Sequence, residues 1–124
     1  MSIKILIADD EPNILISLEY LMKREGYEVL VAHDGQEALD MIIVEKPRLV
    51  LLDVMMPKKT GLEVCHALRA IPEFSEMIIL MLTAKGHDTD VAKGMAMGAN
   101  DYMIKPFSTK ELAQKVKDML GMGA

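Results

Sequence analysis

At 124 residues, with 51% hydrophobic and 27% charged side chains, the chain has the size and balance of one ordinary globular domain, which excludes the disordered and fibrous classes. Its formal net charge of −5 argues against nucleic-acid binding by this domain, because such affinity rests on Lys and Arg neutralising phosphates. The longest apolar runs, residues 50–52 and 77–82, fall well short of the roughly 18 residues a membrane-spanning helix needs.

The opening Met-Ser-Ile-Lys runs straight into a strand-like segment and lacks the apolar core and cleavage site of a secretory signal, so a cytoplasmic location is expected. Residues 3–8 are a short, mostly apolar and β-branched run that stops at Asp9-Asp10-Glu11-Pro12, as a buried strand feeding a loop does. Pro12 suits a first helical turn, Ile14, Leu18, Leu21 and Met22 recur at helical spacing, and Gly26 supplies the stop; a helix is predicted over 12–25. Residues 28–32 read as a second strand. Asp34-Gly35-Gln36-Glu37 has capping-box spacing, and Ala38, Leu39, Ile42 and Ile43 give the helix it opens an apolar face that ends at Pro47.

A third strand over 49–52 terminates at Asp53, and Thr60-Gly61-Leu62-Glu63 opens a third helix carrying Leu62, Cys65 and Leu68. The single cysteine has no internal disulfide partner and reads as core packing. Residues 78–82 make a fourth strand ending at Thr83. A fourth helix over 88–97 is weakened by Gly94, at about 1 kcal/mol relative to Ala, and is expected to be mobile. Gly98 caps it, 101–104 form a fifth strand, and Ser108-Thr109-Lys110-Glu111 opens a last helix with Leu112, Val116 and Met119. Met22, Met41 and Met119 fall at helical core positions, so the 12 methionines read as adaptable core filling. His33, His66 and His87 share no motif and are given no site. No repeat or linker interrupts the chain, although Gly121-Met122-Gly123-Ala124 resembles a linker stub; one domain over 1–124 is expected.

Five alternations of strand and amphipathic helix imply right-handed crossovers and a doubly wound α/β domain, its parallel sheet covered on both faces. The mostly continuous apolar strands suit such burial. Ligands bind such sheets beyond the carboxyl ends of the strands. The polar residues falling there are Asp9 and Asp10, Asp53, Thr83 and Lys105. Three convergent carboxylates repel one another unless a cation or proton intervenes, and a hard divalent ion with oxygen preference, magnesium, meets that need. No paired His or Cys spacing favours zinc. Lys105 then serves to neutralise a transferring phosphoryl group, Thr83 to donate a hydroxyl to it, and small Ala84 to leave the approach open.

Asp9-Asp10, Leu-Leu-Asp-Val-Met-Met-Pro around Asp53, Thr83-Ala84 and Lys105-Pro106-Phe107 together resemble the receiver domain of bacterial two-component response regulators, over practically the whole chain and in the expected order. The resemblance implies the flavodoxin-like strand order 2-1-3-4-5. It also implies that Asp53 is the phosphoacceptor, charged by a sensor histidine kinase or phosphotransfer protein. Asp9, Asp10, Asp53 and the Met55 carbonyl would hold Mg2+, with Mn2+ as a substitute. Thr83 and Lys105 would contact the phosphoryl group, Lys105–Pro106 would be cis, and Tyr102 would turn inward as the switch. The output face would be helix four, strand five and helix five, acting on a downstream effector, an attached output domain or a second copy. Met55 and Lys85 flank the route of attacking water and are expected to set the lifetime of the signal. The domain would thus be no enzyme beyond its own phosphorylation and dephosphorylation.

A dehalogenase-like phosphatase would carry an Asp-x-Asp pair after its first strand, and a flavodoxin-like electron carrier a Ser/Thr-rich phosphate loop there; Asp9-Asp10-Glu11 fits neither. The alternative kept is a receiver-fold binding module that works without phosphorylation.

Overall fold

The computed structural model describes residues 2–84 and 88–121, with the backbone alone for 88–90. The strands are β1 (Lys4–Ala8), β2 (Glu28–Ala32), β3 (Leu49–Asp53), β4 (Ile78–Ala84) and β5 (Asp101–Lys105). The helices are α1 (Pro12–Arg24), α2 (Gly35–Glu45), α3 (Gly61–Arg69), α4 (Asp88–Ala96) and α5 (Thr109–Met119). All strand pairs are parallel, in the order β2-β1-β3-β4-β5. The α/β class and the flavodoxin-like order expected from the sequence are those observed.

The period of two in a strand divides the core into two layers. Leu6 and Ala8, Val50 and Leu52, and Ile79 and Met81 face one side, packed with Ala38 and Ile42 of α2 and Val64, Cys65 and Leu68 of α3. Ile5 and Ile7, Leu49 and Leu51, and Leu80 and Leu82 face the other, packed with Leu15, Leu18 and Met22 of α1 and Leu112 and Val116 of α5. Every residue of the central β3 is buried, which is why its sequence is an unbroken apolar run up to Asp53. Cys65 is fully buried in the first layer, and burial raises its thiol pKa, as suits a packing residue.

Helix starts follow the capping residues. Thr60 and Glu63 form a reciprocal capping box, whereas Asp34 and Ser108 each accept from the amide three residues on. Several expectations need correction. Ile43 is 45% exposed, because at 3.6 residues per turn it points about 140° from Ala38 and about 100° from Ile42, the residues that face the core. Helix α2 stops before Pro47 as expected, at Glu45, with Lys46 as a left-handed C-cap (φ 51). Strand β4 runs on through Thr83 and Ala84, which pair with Ile104 and Lys105 of β5. A single 3₁₀ turn, Pro72–Phe74, was not anticipated; it seats Phe74 in the first layer. Among the described residues no helix is long and apolar enough to cross a membrane.

Candidate functional site

Strand register and parity assemble the site. Ala8 pairs with Leu52, so Asp9 and Asp53 follow side by side at the adjoining ends of β1 and β3, where the strand order reverses. Asp9 lies two residues after Ile7, Asp53 two after Leu51 and Lys105 two after Met103, all members of the second layer, so these three side chains share that side of the sheet. Thr83, two after Met81, belongs by the same count to the first layer.

The resulting crevice has a volume of about 260 Å3 and is lined by Asp10, Glu11, Asp53, Val54, Met55, Ala84 and Lys105. Asp9 is fully buried, Asp53 nearly so, and Asp10 is exposed. Each offers a carboxylate oxygen, and the three oxygens lie within 4.8 Å of one another. Lys105 Nζ donates to Asp9 Oδ2 at 2.9 Å and stands 3.4 Å from Asp53 Oδ1. The second oxygen of Asp9 accepts from the Glu11 amide at 2.9 Å, which fixes its carboxylate plane at the start of α1. The Lys105–Pro106 peptide is cis.

Burial lifts the Asp53 carboxyl from 3.8 to about 6, the Asp9 charge adds to the rise, and Lys105 and the Met55 amide oppose it. Burial pulls the Lys105 ammonium down, but the hydrogen bond to Asp9 and the Asp53 and Asp9 charges outweigh it and leave the pKa raised. Among the described residues, crowded carboxylates therefore coexist here with one ammonium, and Asp53 stays ionised near neutrality at an electrostatic cost that a further cation would relieve. An all-oxygen donor set with unrelieved negative charge fits a hard divalent ion.

The buried Thr83 hydroxyl has no hydrogen-bond partner among the described residues. Ala84, exposed, lines the crevice beside it. Met55 exposes 58% of its surface at the rim, and Tyr102 is 38% exposed on β5. Lys85 lies outside the described residues.

Two residues that support the site went unrecognised in the sequence as anything but helix starts. A Cβ built at Gly61 would overlap the carbonyl oxygen of Asp53, so α3 starts directly against the backbone of Asp53. A Cβ at Gly35 would overlap the carbonyl oxygen of Lys59, in the loop that follows β3. Their only signal is a glycine immediately after an N-cap, where side chains are ordinarily tolerated.

A doubly wound sheet with an acidic crevice at its switch point, a lysine bridging two of the acids and a hydroxyl beside them defines a signalling receiver class. The family model described as "Response regulator receiver domain" matches residues 5–117, and the chain belongs to that family. A putative response regulator from Chloroflexus aurantiacus J-10-fl is 37% identical, with 98% of this chain and 99% of that one covered at a TM-score of 0.93. The chemotaxis protein CheY4 of Vibrio cholerae is 31% identical, with 96% and 99% covered at 0.90. NtrX from Brucella abortus is 27% identical and matches over 99% of this chain but only 28% of its own, at 0.89, so the same fold also occurs as one part of a longer protein.

Proposed function

We propose that this receiver domain is a phosphoacceptor switch in which Asp53 takes a phosphoryl group from a phosphohistidine on a sensor histidine kinase or phosphotransfer protein. An Asp53 carboxylate oxygen attacks phosphorus, the phosphorus–nitrogen bond breaks, and the imidazole leaves with its electron pair and takes up a proton. The product is an acyl phosphate on Asp53. The observation carrying this reading is the Lys105 ammonium held 2.9 Å from Asp9 and 3.4 Å from Asp53 in an open crevice, positioned to neutralise phosphoryl oxygens as they arrive.

Asp9, Asp10, Asp53 and the Met55 carbonyl are the residues to hold Mg2+, or Mn2+ in its place. The ion, when bound, supplies Lewis-acid neutralisation of the phosphoryl oxygens. The pKa of Asp53 near 6 keeps the nucleophile ionised at neutral pH while its burial keeps it poorly solvated. Thr83, whose hydroxyl has no partner among the described residues, donates it to the new phosphoryl group.

Phosphorylation adds about −1.5 to −2 charges and strong acceptor oxygens, which draws Thr83 toward them. Thr83 pairs with Ile104 across the β4–β5 ladder, and Met81, two residues earlier, pairs with Tyr102. Movement of Thr83 thus opens space for Tyr102 to turn inward. The responding surface is α4, β5 and α5, where Met95, Tyr102 and Ile104 are exposed, and its occupant is an effector, an attached output domain or a second copy. The domain works in the cytoplasm and catalyses only its own phosphorylation and dephosphorylation.

Incubation with Mg2+ and acetyl phosphate, followed by intact mass, tests the reading. Addition of one phosphoryl mass that Asp53→Ala abolishes is expected. Unchanged mass with bound Mg2+ would instead favour a module that binds partners without phosphorylation.

A further inference from the structure

We propose that the start of α2, through Asp34 and Gly35, is the positioning element that holds the loop after Asp53 in register for the site. This rests on the phosphoacceptor reading, but the geometry is independent of it. The loop of residues 54–60 leaves β3 with the Val54 amide bonded to the Leu82 carbonyl and returns with the Gly61 amide bonded to the Val54 carbonyl. Between those fixed ends it makes an unfavourable turn. The Lys59 amide donates to the Pro57 carbonyl at 2.8 Å, an i to i+2 bond, around Lys58 at φ 68. A three-residue turn with positive φ at its centre is rare and strained, more so at a residue other than glycine. Strain of this kind persists only where the surroundings over-determine it.

The surroundings here are one helical turn of α2. Asp34 uses both carboxylate oxygens: Oδ1 accepts from the Glu37 amide at 2.8 Å, capping the helix, and Oδ2 faces Lys58 Nζ at 3.6 Å. The Glu37 amide, chiefly, and the Lys58 ammonium hold the Asp34 carboxyl below its usual pKa against the opposing effect of burial, so it is charged at neutral pH. The Gly35 amide donates to the Pro57 carbonyl at 3.3 Å, and Gly35 is buried so closely under Lys59 that no Cβ fits. Three contacts from two consecutive residues thus press on the three residues of the turn. Displacing the turn moves the segment that carries Met55, whose amide bonds the Asp53 carboxylate and whose carbonyl is one of the oxygens proposed to hold Mg2+.

The test compares wild type, Gly35→Ala and Asp34→Asn. Asn caps a helix about as well as Asp but carries no charge for Lys58. The readouts are the unfolding midpoint, amide shifts of residues 54–59 without metal, and the Mg2+ dissociation constant from an NMR titration. Gly35→Ala is expected to shift those amides and weaken Mg2+ binding about tenfold, as loss of a supporting partner around a metal site does, while unfolding stays cooperative. Asp34→Asn is expected to act in the same direction by about two- to threefold with the helix cap intact, and decides the matter if Gly35→Ala does not fold. Wild-type amide shifts in the metal-free variants overturn the proposal. So do shifted amides with wild-type Mg2+ affinity. If wild type itself binds no Mg2+ and takes no phosphoryl group, the phosphoacceptor reading fails, and the metal-free amide shifts still decide whether α2 positions the loop.

Discussion

Replacing Asp53 by Asn is expected to stabilise the metal-free protein, even though it destroys the proposed nucleophile. The Asp53 carboxyl rises from 3.8 to about 6 on folding, so between those pH values the folded protein holds a proton that the unfolded chain has released. Stability therefore falls as pH rises through this window, and the penalty is complete above about pH 6. At 1.36 kcal/mol per pKa unit the ceiling is roughly 3 kcal/mol. The crevice is open to solvent on one side, and screening reduces the expected gain to about 1–2 kcal/mol, or roughly 5 °C in melting temperature. Asn matches the carboxylate in shape, so packing changes little. The assay is urea or thermal unfolding in EDTA at two pH values. At about pH 4.5 the gain should be roughly a third of that at about pH 8, because Asp53 in the folded protein is then mostly protonated and no longer buries its charge. Added Mg2+ should stabilise wild type and leave Asp53→Asn nearly unmoved, since ligand binding to the folded state raises its stability only where the site is intact. A variant no more stable than wild type at pH 8, or one whose gain is independent of pH, would refute the electrostatic account of the site.

Lys105→Met removes the charge that opposes the rise at Asp53, so the Asp53 pKa is expected to climb above about 6 in a carboxyl carbon NMR titration, with slower labelling by acetyl phosphate; a fall would contradict it. Gly94→Ala is expected to stabilise by about 1 kcal/mol, because the added Cβ meets Met81 Cγ at 3.5 Å and Leu62 Cδ2 at 3.6 Å, which is ordinary contact. Calorimetry checks this, and slower hydrogen exchange along α4 should accompany it. Met55→Asn should speed loss of the phosphoryl group several-fold by replacing an exposed apolar side chain at the crevice rim with one that orients water. Decay followed by intact mass at wild-type rate would show that Met55 acts only through its backbone.

What could be read directly from the sequence was whatever depends on local pattern. The unbroken apolar runs before Asp9, Asp53 and Thr83 marked buried parallel strands, and their ends marked the site. Thr60 and Glu63 marked a helix start that the structure completes as a reciprocal box. The misses have the opposite character. Ile43 looked apolar enough for the core, but its side depends on the phase of α2, which Ala38 and Ile42 set. Pro72–Phe74 is a single turn, too short to show any period. The close approaches at Gly35 and Gly61 join segments that are distant in sequence or separated by a loop, so no local rule reveals them. The raised Asp53 pKa is likewise a product of three strands meeting.

On the proposed reading, parity gives a change at Asp53 a route to the far side of the sheet. Asp9, Asp53 and Lys105 continue the rows of Ile7, Leu51 and Met103, which pack against α1 and α5. Thr83 continues the row of Ile79 and Met81, which packs against the opposite layer, yet β4 is the immediate neighbour of β3, with Leu82 paired to Asp53. On the phosphoacceptor reading, a phosphoryl group on Asp53 would be met from one face by Lys105 and from the other by Thr83. Among the described residues the Thr83 hydroxyl has no partner, while Lys105 and Asp9 already satisfy each other. The uncommitted group is the one that can change partners at little cost, and it stands on the strand bonded to Tyr102 and Ile104. On the proposed reading, the responding surface would be set by the strand that carries this hydroxyl, and α1, on the face where Lys105 and Asp9 are already paired, would respond less.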